Sequence, residues 1–255
     1  SDPVKAAHLW LDAGQAGRDP LFEAIPNRHT NRGPYREQPV KTADLLKLAD
    51  LVSDNEVRVA FITDPLARKE LGAAVVAATE RIIADREMSE DSARWFRTGR
   101  REVNEHRDGI STDSAGLSPF MTAAAKMLPD QDAATADKYW LGMTRDVQTV
   151  APALGIMLVR DRLEMGSAIA AGRAWQRLHL AATTMGIAAQ PLNQPVECID
   201  RNAERGRNDE FRSALTRFAH APGWEATFVF RLGYAEHPAL PSPRRPLSAV
   251  LVNNV

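Results

Sequence analysis

The sequence has 255 residues, 44% of them hydrophobic and 25% charged, a balance that supports a globular chain with a sizeable core. Its 32 Lys and Arg against 33 Asp and Glu give a formal net charge of -1, so nothing electrostatic favours nucleic acid or a membrane surface as a partner. The single cysteine, Cys198, excludes an intramolecular disulfide framework, and no apolar run reaches membrane-spanning length.

In chain order, Val4 to Leu11 reads as a short strand, and Leu21 to Ile25 as an apolar helical turn after Asp19-Pro20. Thr42 to Val52 is a predicted helix with Leu45, Leu46, Leu48 and Leu51 near helical spacing. Glu56 to Thr63 alternates as a strand does. Asp64-Pro65 then supplies an N-cap and a first-turn proline for a helix ending near Ala84, with Leu71, Ala74, Val75, Ala78 and Ile82 on one face. From Ser89 to Asp137 the chain mixes Arg94, Arg97, Arg100, Arg101 and Arg107 with acids, which predicts a solvated helical insertion in which Trp95 and Phe96 pack on a helix.

Leu154 to Val159 is a compact apolar strand. A helix from about Leu163 to Met185 carries Ile169, Gly172, Leu178, Ala182 and Met185 along one face. Ile187 to Leu192 reads as a strand edge entering a Pro-bounded loop, Asp209 to His220 as a helix and Ala226 to Leu232 as a strand. The pattern is α+β with a mixed sheet.

Several chemistries find no support. The histidines His8, His29, His106, His179, His220 and His237 show no i, i+4 pairing and no cysteine cluster, so no metal site is expected. There is no G-x-S-x-G elbow, no G-x-G-x-x-G fingerprint and no P-loop. Cys198, between Glu197 and Ile199, reads as a buried inert thiol.

Two arginine constellations remain. The first is Ala24-Ile25-Pro26-Asn27-Arg28-His29-Thr30-Asn31-Arg32-Gly33-Pro34-Tyr35, then Pro39-Val40 and the leucine-rich helix. Guanidinium forks give bidentate, charge-assisted bonds and a threonine hydroxyl adds a donor, so such a segment can grip a phosphate. It can equally tie down its own carboxylates. The second is Phe230-Arg231-Leu232-Gly233-Tyr234, followed by Ser242-Pro243-Arg244-Arg245-Pro246-Leu247.

Together these segments resemble the nitroreductase superfamily, and most of all its divergent Acg-like FMN-binding branch, in which two nitroreductase-like halves are fused in one chain. The resemblance implies a nitroreductase-like α+β fold, a mixed, mainly antiparallel sheet surrounded by helices. It implies that Arg28, His29 and Thr30 hold the FMN phosphate end and that Arg32 faces the flavin N1–C2=O edge. Arg244 and Arg245 are candidates to close on the same phosphate, with the inward one left open. In the segment Gln190-Pro191-Leu192-Asn193-Gln194-Pro195, Asn193 and Gln194 fall where the family offers main-chain N–H groups near flavin N5, although their side chains could equally serve the loop.

The implied activity is FMN-dependent transfer of a hydride from NADH or NADPH to a nitroaromatic, quinone or similar acceptor, with no general acid or base required. The alternative is a flavin-sequestering protein whose site is covered by a lid, for which the insertion at about 89–137 is the candidate. The family's Pro-Ser-x-x-Asn-x-Gln-Pro-Trp-like segment, which touches the flavin across the pseudo-dimer, does not occur in the sequence, which opens Ser1-Asp2-Pro3. Residues 1–20 are therefore expected to end an N-terminal half and 21–255 to form the FMN-binding domain, in a pseudo-dimer within one chain or a homodimer. A cytoplasmic location is expected, with an exported form left open.

Overall fold

The computed structural model describes residues 10, 12–14, 17–53, 55–97, 99–126, 133–207, 210–219 and 222–251. The strand expected over Val4 to Leu11 lies outside the described residues, apart from Trp10, which is exposed. No helix among the described residues is long and apolar enough to cross a membrane.

The N-terminal elements start where their caps dictate. Asp19 accepts from the Leu21 N–H and begins α1 (Pro20–Ala24), which tightens into a 3-10 turn over Ile25–Asn27. Helix α2 (Thr42–Val52) buries Leu45, Leu48 and Val52, while Leu46, placed on the apolar face by spacing, is exposed. After β1 (Val57–Ile62), the Asp64 carboxylate accepts from the Ala67 N–H at 2.9 Å and Pro65 opens α3 (Pro65–Ala84).

The arginine-rich middle is a series of short pieces: α4 (Arg86–Ala93), β2 (Phe96–Arg97), α5 (Arg100–His106), β3 (Ile110–Ser111), α6 (Pro119–Ala125) and α7 (Ala133–Met143). It departs from a solvated helical insertion in two ways. Helix α4 stops before Trp95 and Phe96, which are 56% and 38% exposed. Arg97 is buried instead, with Nη2 donating to Asp108 at 2.8 Å.

A π-helical turn (Thr144–Gln148) leads to β4 (Ala153–Val159). Helix α8 (Met165–Thr184) is capped by the Glu164 carboxylate, which accepts from the Gly166 and Ser167 N–H groups. Then come β5 (Ala188–Pro191), α9 (Gln194–Glu204), α10 (Glu210–Ala219) and β6 (Glu225–Gly233). The expected loop around Gln190–Pro195 is therefore the last residues of β5 and the start of a helix. The core face of α8 runs through Ala171, Ala174, Leu178 and Ala182, whereas Ile169 and Gly172 are exposed.

The main sheet has the order β1-β4-β6-β5, and every pairing in it is antiparallel; the parallel pairing is the two-residue ladder β2–β3. Strand β4 is buried at every residue, as a central strand covered on both faces must be. Its side chains alternate: Leu154, Ile156 and Leu158 join Leu71, Val75, Ile199 and Leu215 under α3, α9 and α10. Ala153, Met157 and Val159 join Leu48, Leu178 and Ala182 under α2 and α8. Gly155 is required here, because a Cβ would lie 2.3 Å from the Phe230 ring on the neighbouring strand.

Candidate functional site

The segment from Arg28 to Arg36 is stitched to the end of the sheet. The Asn31 N–H donates to the Ala189 carbonyl of β5 at 3.2 Å, and the Arg36 N–H donates to the Tyr234 carbonyl just past β6 at 2.8 Å. The Glu236 N–H returns to the Pro34 carbonyl at 3.1 Å. Buried Asn31 closes the turn, its Oδ1 accepting from the Gly33 N–H at 3.0 Å and its Nδ2 donating to the His237 carbonyl at 2.8 Å.

Arg231 holds this arrangement from beneath. It is fully buried on β6, opposite Gln190 of β5 in the strand register. Its Nε donates to Gln190 Oε1 at 2.7 Å, Nη1 to the Val147 carbonyl at 3.0 Å, and Nη2 to the carbonyls of Asn31 and Gly33 at 3.3 and 2.7 Å. Its guanidinium carbon also lies 3.9 Å from the Tyr35 ring centroid. Burial pulls Arg231 down to about 10 and pushes Tyr35 up to about 12, so both keep their protons at neutral pH.

Above this base is a cleft of about 70 Å3. Arg28, His29, Thr30 and Arg32 line one side, and Leu240, Ser242 and Arg244 the other. Gly109 and Ser114 of the middle region complete the wall. No Asp or Glu among the described residues lines it. Burial, followed by the charge of Arg244, lowers the Arg28 and His29 values, since both effects disfavour the protonated form. Arg244 Nη1 donates to Ser242 Oγ at 2.6 Å.

Arg28 is positioned by a residue that no local pattern indicates. Its Nη1 lies 3.3 Å from Nδ1 of His179, a buried histidine on α8. A guanidinium can only donate, so this Nδ1 accepts and the ring is neutral. Burial first, then the Arg28 charge, lowers His179 from its usual 6.5 to about 4. The folded value lies below the unfolded one, so the unfolded chain binds more protons between these two pH values. The stability this neutral ring contributes is present above about 6.5 and is lost as pH falls toward 4. Comparing wild type with His179→Asn by denaturant titration at pH 7 and pH 5 should show a pH-dependent difference on the order of 2 kcal/mol. An equal difference at both pH values would remove His179 as its source.

The middle region closes over Arg32. Burial lowers the Arg32 value, and its Nη1 donates to the Ser114 carbonyl at 3.1 Å. Gly116 makes the approach possible: its φ is +86°, and a Cβ there would lie 2.4 Å from the Arg32 carbonyl carbon. Gly116→Ala should therefore lift this segment off Arg32. Hydrogen exchange of the amides at 112–117 is expected to speed up roughly ten- to a hundredfold while global unfolding shifts little; unchanged exchange would show the contact to be dispensable.

Of the residues singled out in the sequence, Arg28, His29, Thr30, Arg32 and Arg244 come together in the cleft. Arg245 does not line it, and its Nη2 pairs with Asp108, which also binds Arg97. Asn193 and Gln194 do not line it either. Asn193 Oδ1 accepts from the Val229 N–H at 3.2 Å, a structural bond, and Gln194 is buried at the first turn of α9 with Oε1 unpartnered among the described residues. His179, Ser114, Ser242 and Arg231 belong to the site or its support and were not singled out as candidates; His179, Ser114 and Arg231 meet it through contacts far apart in sequence, and Ser242 through its neighbour Arg244.

No protein-family model and no curated protein sequence matches the chain. Solved structures do. The FMN-dependent nitroreductase NfnB from Mycobacterium smegmatis in complex with NADPH matches with a TM-score of 0.57 at 18% identity, over 92% of this chain and 98% of that one. The FMN and NADPH-dependent nitroreductase NfnB from sphigopyxis sp. strain HMH has a TM-score of 0.57 at 15% identity, over 91% and 97%. A nitroreductase with bound FMN from Bacteroides fragilis has a TM-score of 0.52 at 15% identity, over 92% and 98%. At such identities the likeness is one of architecture: the chain has the nitroreductase fold.

Proposed function

We propose that the chain is an FMN-dependent NAD(P)H oxidoreductase of nitroreductase type. The observation that supports this most is the cleft in which Arg28, His29, Thr30, Arg32 and Arg244 converge without a carboxylate among the described residues. Such a donor set suits the phosphate end of FMN, since guanidinia and hydroxyls bind its oxygens and no acid repels them. Arg28, Thr30 and Arg244 would hold that phosphate, with His29 beside them. Arg32 would face the pyrimidine edge of the flavin, where a fixed cation favours negative charge. Asn193 and Gln194 would contribute through the main chain, Asn193 because its side chain is already committed to β6. FMN, when bound, supplies the chemistry that takes electrons from NADH or NADPH and passes them to a nitroaromatic, quinone or similar small acceptor. Within the superfamily we place the chain in the Acg-like branch on the Arg28–Arg32 and Ser242–Leu247 motifs, with the rest of the flavin cradle coming from a second half or a second copy.

One observation favours a second reading. The Ser114–Gly116 segment packs against Arg32 at the wall of the cleft. A protein that holds flavin beneath this segment would sequester it with little turnover. The test is reconstitution with FMN, an absorbance spectrum, and steady-state oxidation of NADPH and NADH with a nitroaromatic or quinone acceptor. The oxidoreductase reading expects bound flavin and acceptor-dependent turnover; bound flavin without turnover, raised by Gly116→Ala, selects sequestration. A colourless protein under all conditions removes both.

A further inference from the structure

Helix α8 packs against α1, just ahead of the arginine segment, and one of its residues reaches the cleft without lining it. His179 is 1% exposed and is not part of the cleft wall, yet its Nδ1 lies 3.3 Å from Arg28 Nη1. The ring is itself held. Trp175, one turn earlier, packs against it with 5.1 Å between ring centroids. The Trp175 ring in turn lies 4.7 and 5.0 Å from those of Phe228 and Phe230 on β6. A side chain braced by a buried helix, an indole and the sheet behind it has little freedom to turn.

Arg28 needs such an anchor, because a long, charged side chain in an open cleft otherwise samples many positions. Here both of its ends are fixed. Its backbone N–H donates to the Ala24 carbonyl at 3.0 Å, and its Nη1 donates to the His179 ring. Its side chain makes no other hydrogen bond or ion pair among the described residues, and Nε and Nη2 are not closed off by the protein. Those two nitrogens form one edge of the planar group, the edge that grips two oxygens of a phosphate.

The choice of acceptor matters. A carboxylate in the place of His179 would neutralise Arg28 and compete with an incoming anion, whereas a neutral imidazole holds the guanidinium and leaves its charge in the cleft. Burial, Arg28 and the His29 ring keep a second proton off His179, against a hydrogen bond to the His29 main chain that favours one.

We propose that His179 is the positioning residue of the anion site: it does not touch the ligand, and it sets affinity by presenting the free edge of Arg28 to the cleft. This rests on the reading of the cleft as the seat of the FMN phosphate. Binding of FMN and, separately, of inorganic phosphate to the full chain tests it. His179→Leu removes the acceptor and keeps an apolar filling, and should weaken both ligands roughly three- to tenfold, the effect of freeing one long side chain. His179→Asn puts an amide oxygen near the place of Nδ1 and should stay within about twofold of wild type. A double-mutant cycle separates aiming from general support. On an Arg28→Ala background His179→Leu should cause no further loss, and on an Arg244→Ala background it should cause its full loss. A merely structural histidine would weaken binding alike on both.

Equal losses on the two backgrounds, unchanged affinity in His179→Leu, or a loss in His179→Asn as large as in His179→Leu would overturn the proposal. If His179→Leu does not fold, the wild-type ring decides by nitrogen NMR of the isotope-labelled chain. The ring proton should sit on Nε2, and the Nδ1 resonance should move saturably with phosphate. A proton on Nδ1, or an Nδ1 resonance unmoved by saturating phosphate, overturns it. Phosphate binding that follows this cycle without any FMN binding would remove the flavin reading and keep this one. FMN binding with an additive cycle would do the reverse, and a wild type that binds neither ligand removes both.

Discussion

Arg231→Met is expected to lower the unfolding free energy by about 3–5 kcal/mol, measured by denaturant titration at neutral pH. The substitution keeps the apolar bulk of the side chain and removes every hydrogen bond it makes. Asn31 O retains the Tyr35 hydroxyl at 2.9 Å, but Gln190 Oε1 and the carbonyls of Val147 and Gly33 lose the Arg231 donor. Relief of the buried charge offsets part of the loss, and three weakened acceptors, one buried and two half-buried, outweigh it. A loss below about 1 kcal/mol would show that water replaces the guanidinium. Arg231→Lys separates charge from shape, because an ammonium lacks the fixed fork that reaches Gln190, Val147 and Gly33 together. It should leave a folded protein whose 28–35 segment is loosened, and so weaken anion binding in the cleft without touching a cleft residue.

Arg244→Ala and Arg245→Ala should differ sharply, although the residues are neighbours. Arg244 lines the cleft and lowers the values of Arg28 and His29 by its charge, so under the proposed function its loss removes a direct phosphate partner. FMN affinity, read by quenching of flavin fluorescence, is expected to fall roughly ten- to a hundredfold. Arg245 faces Asp108, whose carboxyl is held below its usual range first by Arg245 and then by Arg97. Arg97 remains to pair with Asp108 in Arg245→Ala, so FMN affinity should stay within about twofold of wild type. Equal losses in the two variants would contradict this division of labour. Salt sharpens the contrast, because only the cleft arginine contributes to the ionic-strength dependence of flavin binding.

The elements with strong punctuation or long periodicity were legible in the sequence. Asp64-Pro65 marked the start of α3, and the unbroken apolar run to Val159 marked the central strand. Helix α9 was hidden because Pro191 and Pro195 read as loop brackets, when Pro195 is a first-turn proline. The face of α8 was drawn too far toward its start, where Ile169 lies beyond the core. In the middle region each element is too short for its period to register, so the burial of Arg97 by Asp108 left no trace in the spacing.

The site was legible only as far as charge density along the chain carries information. The cluster Arg28–Arg32 and the pair Arg244-Arg245 were visible. What positions them was not. His179 is 151 residues from Arg28, and Arg231 sits in an alternating strand where a charged residue reads as solvent-facing. Its burial depends on acceptors from three separate segments that only the folded chain assembles.

Because the Arg28–Arg36 segment is fastened to the sheet by Asn31, Arg36 and Glu236, Arg28 cannot draw back from the charge of Arg244 across the cleft. Mutual repulsion is thus built into the native state and raises its free energy. An anion that enters the cleft relieves this repulsion without first organising the loop, so most of its binding energy is retained as affinity. Folding and occupancy are therefore linked quantities: the fraction of chains in the native state rises with the concentration of whichever anion the cleft accepts.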